Sequence, residues 1–146
     1  MAETKKYTTI HYHSYLELDK VLNAQTLRSA ELETPAHEEM LFIITHQAYE
    51  LWFKQIIHEL GSVHQMFQND NVDEKNIGTA IGRLERVEEI LKLLIQQIGI
   101  METMTPLDFL DFRAYLFPAS GFQSFQFRVV EAMLGLPEKN RLTYNN

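Results

Sequence analysis

Residues 34–67 read TPAHEEMLFIITHQAYELWFKQIIHELGSVHQMF, and the fold follows from how their apolar positions repeat. Leu41, Ile44, Ala48, Leu51, Ile56, Leu60, Val63 and Phe67 recur mostly at three- and four-residue intervals, the spacing that draws one stripe along an α-helix. Thr34 can cap free backbone N–H groups and Pro35 suits a first helical turn. Glu38 and Glu39 complement the positive end of the helix dipole. The stretch predicts one long helix from Thr34 to about Phe67, roughly nine turns that form the backbone of the domain.

Working outward, the same period continues. Asp73 precedes a stripe of Ile77, Ala80, Ile81, Leu84, Val87, Leu91, Leu94, Ile95 and Ile98, which Gly99 is expected to end. Thr105-Pro106-Leu107-Asp108 opens a further helix with Phe109, Phe112, Arg113 and Leu116 along one side, interrupted by Pro118, Ser120 and Gly121. A last helix is expected from Phe122 to Leu134, with Phe122, Phe125, Val129 and Met133 on one face and Gly135-Leu136-Pro137 as its stop. Towards the N-terminus, Tyr12, Tyr15, Leu16, Leu18 and Leu22 sketch a short helix near residues 11–24, peripheral to any core and preceded by a polar arm. No run alternates with period two over the length that a half-buried strand needs.

The fold class is therefore all-α: a helical bundle of about four main helices plus a short N-terminal helix. It reads as a single helical domain, residues 1–146, with an N-terminal arm and short helix at 1–33, a core bundle at 34–135 and a polar tail at 136–146. Short connections between long helices favour antiparallel neighbours.

The 146 residues are 45% apolar, enough to bury a core, and carry a net charge of -7. That balance argues against nucleic acid or an anionic membrane as partner, since both demand clustered Lys and Arg. The absence of cysteine excludes disulfides, thiolate metal sites and cysteine nucleophiles. Neither a signal peptide nor a run of about 18 apolar residues is present, and the reading is a cytosolic (cytoplasmic) protein.

Generic enzyme motifs fail on spacing. His37-Glu38 and His58-Glu59 would each need a histidine three residues after the glutamate to make H-E-x-x-H, but Leu41 and Ser62 stand there. The Glu-x-x-His pairs of di-iron bundles are also missing, because Leu41, Phe42, Phe53 and Ser62 follow Glu38, Glu39, Glu50 and Glu59 at that spacing. What remains is a pair of placements. Phe42 and His46, four apart, present a ring and an imidazole from one face of the long helix; Phe109 and Arg113 do the same with a ring and a guanidinium. If the two faces meet, they outline a pocket for an aromatic amino acid, with an apolar floor, one neutral hydrogen-bonding group and one fork for a carboxylate. Pattern alone also accommodates His46 as a satisfied core or surface histidine, Arg113 as the ion-pair partner of Asp108, Asp111 or Glu102, and both phenylalanines as core.

HEEMLFIITHQAYELWFKQIIHEL, His37 to Leu60, resembles the most recognisable segment of the tryptophan 2,3-dioxygenase family. YHSYLELDKVLNAQ, METMTPLDFLDFRAYL and PASGFQSFQFR are similar, in order, to its N-terminal segment, its arginine-bearing helix and its heme-edge loop with the helix that follows. The resemblance implies cleavage of the indole C2–C3 bond of L-tryptophan by O2 on heme b (iron), giving N-formylkynurenine as a step of tryptophan catabolism in the kynurenine pathway. It implies that His46 accepts the indole N–H, Phe42 and Phe109 flank the substrate, and Arg113 clamps its carboxylate. Leu116, Ser120 and Gly121 would lie along the heme. Tyr12, Tyr15 and Leu16 would reach into a neighbouring subunit's site within a homotetramer. Many family members carry tyrosine where this chain has Phe109, which removes a hydroxyl from the carboxylate's surroundings. The family's chains are about twice as long and hold the proximal iron-ligating histidine in their later part. The isolated chain is thus expected to be the substrate-side half of the enzyme, inactive by itself, with the axial ligand outside it. The alternative is a noncatalytic helical module, derived from that family, that binds a ligand or mediates oligomerisation.

Overall fold

The computed structural model describes residues 9–68 and 73–142. Residues 1–8 of the polar arm and 143–146 of the polar tail lie outside the described residues, as do 69–72. The chain runs through α1 (Tyr12–Tyr15), α2 (Leu18–Leu22), α3 (Arg28–Glu31), α4 (Glu38–Met66), α5 (Glu74–Met101), α6 (Pro106–Arg113) and α7 (Phe125–Met133). Short 3-10 turns form at Ala114–Leu116, Gly121–Gln123 and Glu138–Asn140. Among the described residues there is no strand, and the all-α class read from the periodicity holds.

The two longest helices form an antiparallel hairpin. Gln97 donates to the Thr45 carbonyl at 3.2 Å, the Tyr49 hydroxyl to the Leu94 carbonyl at 2.6 Å, and Arg86 to the Glu59 carboxylate at 2.6 Å, a ladder in which rising numbers on α4 meet falling numbers on α5. Phe53, Ile56 and Leu60 of α4 join Val87, Ile90 and Leu94 of α5 and Val130 of α7 in the buried core. Each such side chain contributes about 1.5–3 kcal/mol by leaving water. Helix α7 lies on α4 through Val130, the Phe53–Phe127 ring contact at 5.4 Å, and Gln126, whose amide donates to both the backbone and the carboxylate of Glu50. Helix α6 reaches α4 near its start, where Phe112, fully buried, meets Phe42 edge-on.

Several expected boundaries and faces move. Helix α4 begins at Glu38, one turn later than Thr34, because the Thr34 hydroxyl is committed to the Ser29 carbonyl and to Tyr115 and does not cap the helix. The stripe drawn along α4 also runs too wide: Ile44, Leu51 and Phe67 are about half exposed, since α5 and α7 both pack on the Phe53–Ile56–Leu60 side. On α5 the seam narrows to Ala80, Val87, Ile90 and Leu94, leaving Ile77, Ile81, Leu84, Ile95 and Ile98 outward, because α4 is the helix it packs along. Asp73 caps α5 as expected, accepting from the Lys75 amide. Gly99 does not end it: the helix continues to Met101, and a mid-helix glycine costs only about 1 kcal/mol relative to alanine.

Thr105 and Asp108 form the reciprocal capping box expected at the start of α6, with proline in its first turn. The last helix starts at Phe125, not Phe122, because Ser124 takes over as cap, accepting from the Phe127 amide at 3.1 Å. Its buried residues are Val130 and Glu131, whereas Phe125 points to solvent. Gly135 ends it at φ 77°, with Leu136 N–H donating to the Glu131 carbonyl and Gly135 N–H to that of Ala132. The short helix expected over 11–24 is split in two by Glu17, which sits in the left-handed region; neither α1 nor α2 buries a residue, and helices this short do not persist whole without packing.

Candidate functional site

A cavity of about 850 Å³ opens between α4, α6, the 114–124 connection and the start of α7. Phe42, His46, Phe109, Arg113, Leu116, Ser120 and Gly121 all line it. The i, i+4 spacing on α4 and on α6 sends each pair from one face, and the packing of α6 on α4 brings the two faces together. Phe42 lies 5.8 Å from Phe109 and 5.6 Å from Phe112, ring centre to ring centre, and Phe109 meets Phe112 edge-on at 5.4 Å. Phe112 anchors this cluster in the protein interior while Phe42 and Phe109 remain at the cavity wall.

The His46 imidazole has a fixed tautomer. Its Nδ1 stands 2.7 Å from the Phe42 carbonyl oxygen, which can only accept, so in the neutral ring Nδ1 carries the hydrogen and Nε2 is left as the acceptor. A β-carbon on Gly121 would stand 3.8 Å from that Nε2. The loop backbone therefore passes beside the imidazole, with no side chain between them.

Arg113 differs from the other arginines. Arg28, Arg83, Arg86, Arg128 and Arg141 each hydrogen-bond to a carboxylate, a backbone carbonyl or a methionine sulfur. The Arg113 guanidinium lies 5.9 Å over the Phe109 ring and, among the described residues, has no carboxylate partner. The ion pairs with Asp108, Asp111 or Glu102 that the spacing allowed do not form; Asp108 is instead occupied by the Thr105 cap. A half-buried guanidinium fork that faces a cavity is suited to a carboxylate.

Tyr12, Tyr15 and Leu16 do not join this cavity within the chain. They sit on and just after α1, and Tyr12 is 76% exposed and Tyr15 70%. Other lining residues were missed. Glu50 and Phe53 continue the Phe42–His46 spacing and were legible in it; Thr26 and Arg28 come from a segment that no local period connects to α4. Glu39, taken as a dipole partner, is buried and bonded to α3. A second groove, about 750 Å³ between α4 and α5, is lined by Leu51, Trp52 and Leu93, but its charged Arg86 and Glu89 are already paired with Glu59 and Lys92.

Phe53, Leu116, Ala119, Phe122 and Phe127 add apolar and aromatic surface to the lining of the main cavity. Among the described residues, no group of three His, Asp or Glu side chains is arranged to hold a metal ion, and no helix is long and apolar enough to cross a membrane.

A profile of the family described as tryptophan 2,3-dioxygenase matches residues 2–146, essentially the whole chain. The chain belongs to the tryptophan 2,3-dioxygenase family. It is 59% identical over 140 residues to the tryptophan 2,3-dioxygenase of Bdellovibrio bacteriovorus, a match covering 96% of this chain and 39% of that protein. Identity to the enzyme of Xenopus laevis is 57% over 135 residues, and to that of Anopheles gambiae 56% over 134; each match covers 92% of this chain, and 33% and 34% of the respective relative. The chain thus spans between a third and two-fifths of the length of these curated tryptophan 2,3-dioxygenases.

Proposed function

We propose that this chain forms the substrate-side part of a cytoplasmic, heme-dependent tryptophan 2,3-dioxygenase. In that reaction the indole C2–C3 bond of L-tryptophan breaks and both atoms of O2 enter the product, N-formylkynurenine, so no external reductant is consumed. The observation that carries the reading is Arg113: a guanidinium at the cavity wall, stacked on Phe109, with no carboxylate partner among the described residues.

Each group has a definite task. Arg113 takes the substrate carboxylate through two parallel N–H···O bonds. The exposed faces of Phe42 and Phe109, held by buried Phe112, pack against the indole. The bare Nε2 of His46 accepts the indole N–H, a role open to it because Nδ1 carries the proton. With its two ends held, the ring is confined to one orientation, which is the protein's main contribution when a cofactor supplies the chemistry. Leu116, Ala119, Ser120, Gly121 and Phe122 would lie along a heme edge, a reading supported by their place in the cavity lining and by Gly121, which puts no side chain beside His46. Heme, when bound, supplies the activation of O2. Tyr12, Tyr15 and Leu16, solvent-exposed in the isolated chain, are suited to closing the corresponding cavity of a second copy within a tetramer.

The test is calorimetric titration with L-tryptophan, indole and L-tyrosine, repeated with the chain joined to the part of the Bdellovibrio relative that it does not span, loaded with heme and assayed for N-formylkynurenine. L-Tryptophan should bind best, and Arg113→Ala should remove about 2–5 kcal/mol of its binding while leaving indole unaffected. Equal weak heats for all three ligands would refute a specific pocket.

A further inference from the structure

Glu39 is 1% exposed, yet among the described residues no cation pairs with its carboxylate. It accepts instead from the Arg28 amide at 2.8 Å, the Ser29 amide at 2.9 Å and the Ser29 hydroxyl. The Arg28 side chain turns away to Glu31. Burying a carboxylate without a counter-charge is costly, and three donors are the compensation. The residue stands on the cavity face of α4, one turn before Phe42 and two before His46, and both it and Arg28 line the cavity.

From Ser29 the bonding continues. The Ala36 amide donates to the Ser29 hydroxyl at 3.0 Å, and the Thr34 amide to the Ser29 carbonyl at 2.9 Å. The Thr34 and Tyr115 hydroxyls share a hydrogen bond at 3.1 Å. Tyr115 lies in the Ala114–Leu116 turn, directly after Arg113. A continuous relay therefore runs from a buried carboxylate on one cavity wall to the turn that directly follows Arg113 on the other. A second clasp, Gln47 with the Ala24 carbonyl and Gln25, holds the other end of the 24–29 strap to α4.

We propose that Glu39 is a positioning residue for Arg113: through Ser29, Thr34 and Tyr115 it fixes the distance between the α4 face and the carboxylate fork. The inference rests on the reading of Arg113 as the clamp. It assigns Glu39 no contact with substrate. Its consequence is selective, because a ligand without a carboxylate does not use the fork.

Two variants of the chain interrogate the two ends of the relay. Glu39→Gln keeps the shape but turns an NH2 group towards donors; Tyr115→Phe removes only the terminal hydroxyl and leaves the core alone. Calorimetry with L-tryptophan and with indole, alongside amide hydrogen exchange, is expected to show tryptophan binding weakened on the order of tenfold by either change, the value of one hydrogen bond in affinity. Indole binding should be unchanged, and exchange at residues 113–116 should be faster while that at 87–94 is not. Should Glu39→Gln fail to fold, Tyr115→Phe carries both readouts. Equal losses for tryptophan and indole, or wild-type tryptophan binding by Tyr115→Phe, would overturn the proposal. If the unaltered chain binds neither ligand, the clamp reading fails, and the relay is judged on exchange alone: unchanged rates at 113–116 in both variants overturn it.

Discussion

The Nε2 atom of His46 and the α-carbon of Gly121 face each other with no side chain between them; a β-carbon on Gly121 would stand 3.8 Å from that nitrogen. This is ordinary van der Waals distance, and Gly121 has no left-handed backbone that would demand glycine. Gly121→Ala is therefore expected to fold with stability within about 0.5 kcal/mol of the parent. The added methyl would occupy the space beside the imidazole and weaken indole binding about tenfold. Paired urea titration and calorimetry check this; unaltered indole affinity would show that the ligand lies elsewhere.

His46 leads to a second expectation. In the neutral ring, with Nδ1–H donated to the Phe42 carbonyl, Nε2 is an acceptor, and the chain should prefer indole over 1-methylindole on the order of tenfold. His46→Ala should erase that preference without abolishing binding, because Phe42 and Phe109 remain. Competition binding with the two ligands measures it. A preference that survives the substitution would assign the N–H to another acceptor.

Phe112 is fully buried and touches both Phe42 and Phe109. Phe112→Ala should cost about 3–5 kcal/mol of stability and loosen the two cavity rings it anchors. Denaturant unfolding gives the first number. In the same variant, tryptophan affinity should fall even at temperatures where the fold persists.

Glu59 makes stability depend on acid. Burial pushes its carboxyl up, but hydrogen bonds from Arg86 and Gln55, with the Arg86 and His58 charges, more than offset this and hold it below its ordinary 4.5. A carboxylate with a depressed folded-state pKa stabilises the fold above its unfolded value and loses that contribution as pH falls through the folded one. Unfolding free energy should therefore fall below about pH 4.5. Glu59→Gln, with a deficit of about 1–3 kcal/mol at neutral pH, should converge on the parent in acid. A deficit constant across that range would mean Glu59 acts by shape alone.

The amino-acid sequence by itself determined the four main helices and much of the wall they present. Period, caps and breakers are local, so Asp73, the Thr105–Asp108 box and Gly135 act where the sequence places them. The Phe42–His46 and Phe109–Arg113 pairs share a face by helical geometry alone. What only the tertiary structure decided was which apolar faces become core and which polar groups find partners. α4 and α5 are apolar on more than one side, and the choice of the Phe53–Ile56–Leu60 seam over Ile44 and Leu51 depends on where α5 and α7 dock. Thr34, read as a cap, bonds to Tyr115 across 81 residues, and Glu39, read as a dipole partner, is buried under a segment 10 and 11 residues before it. Arg113 had three acids within reach along the chain and pairs with none of them. Hydrogen bonds are settled by distance in space, and a helical period carries no record of that.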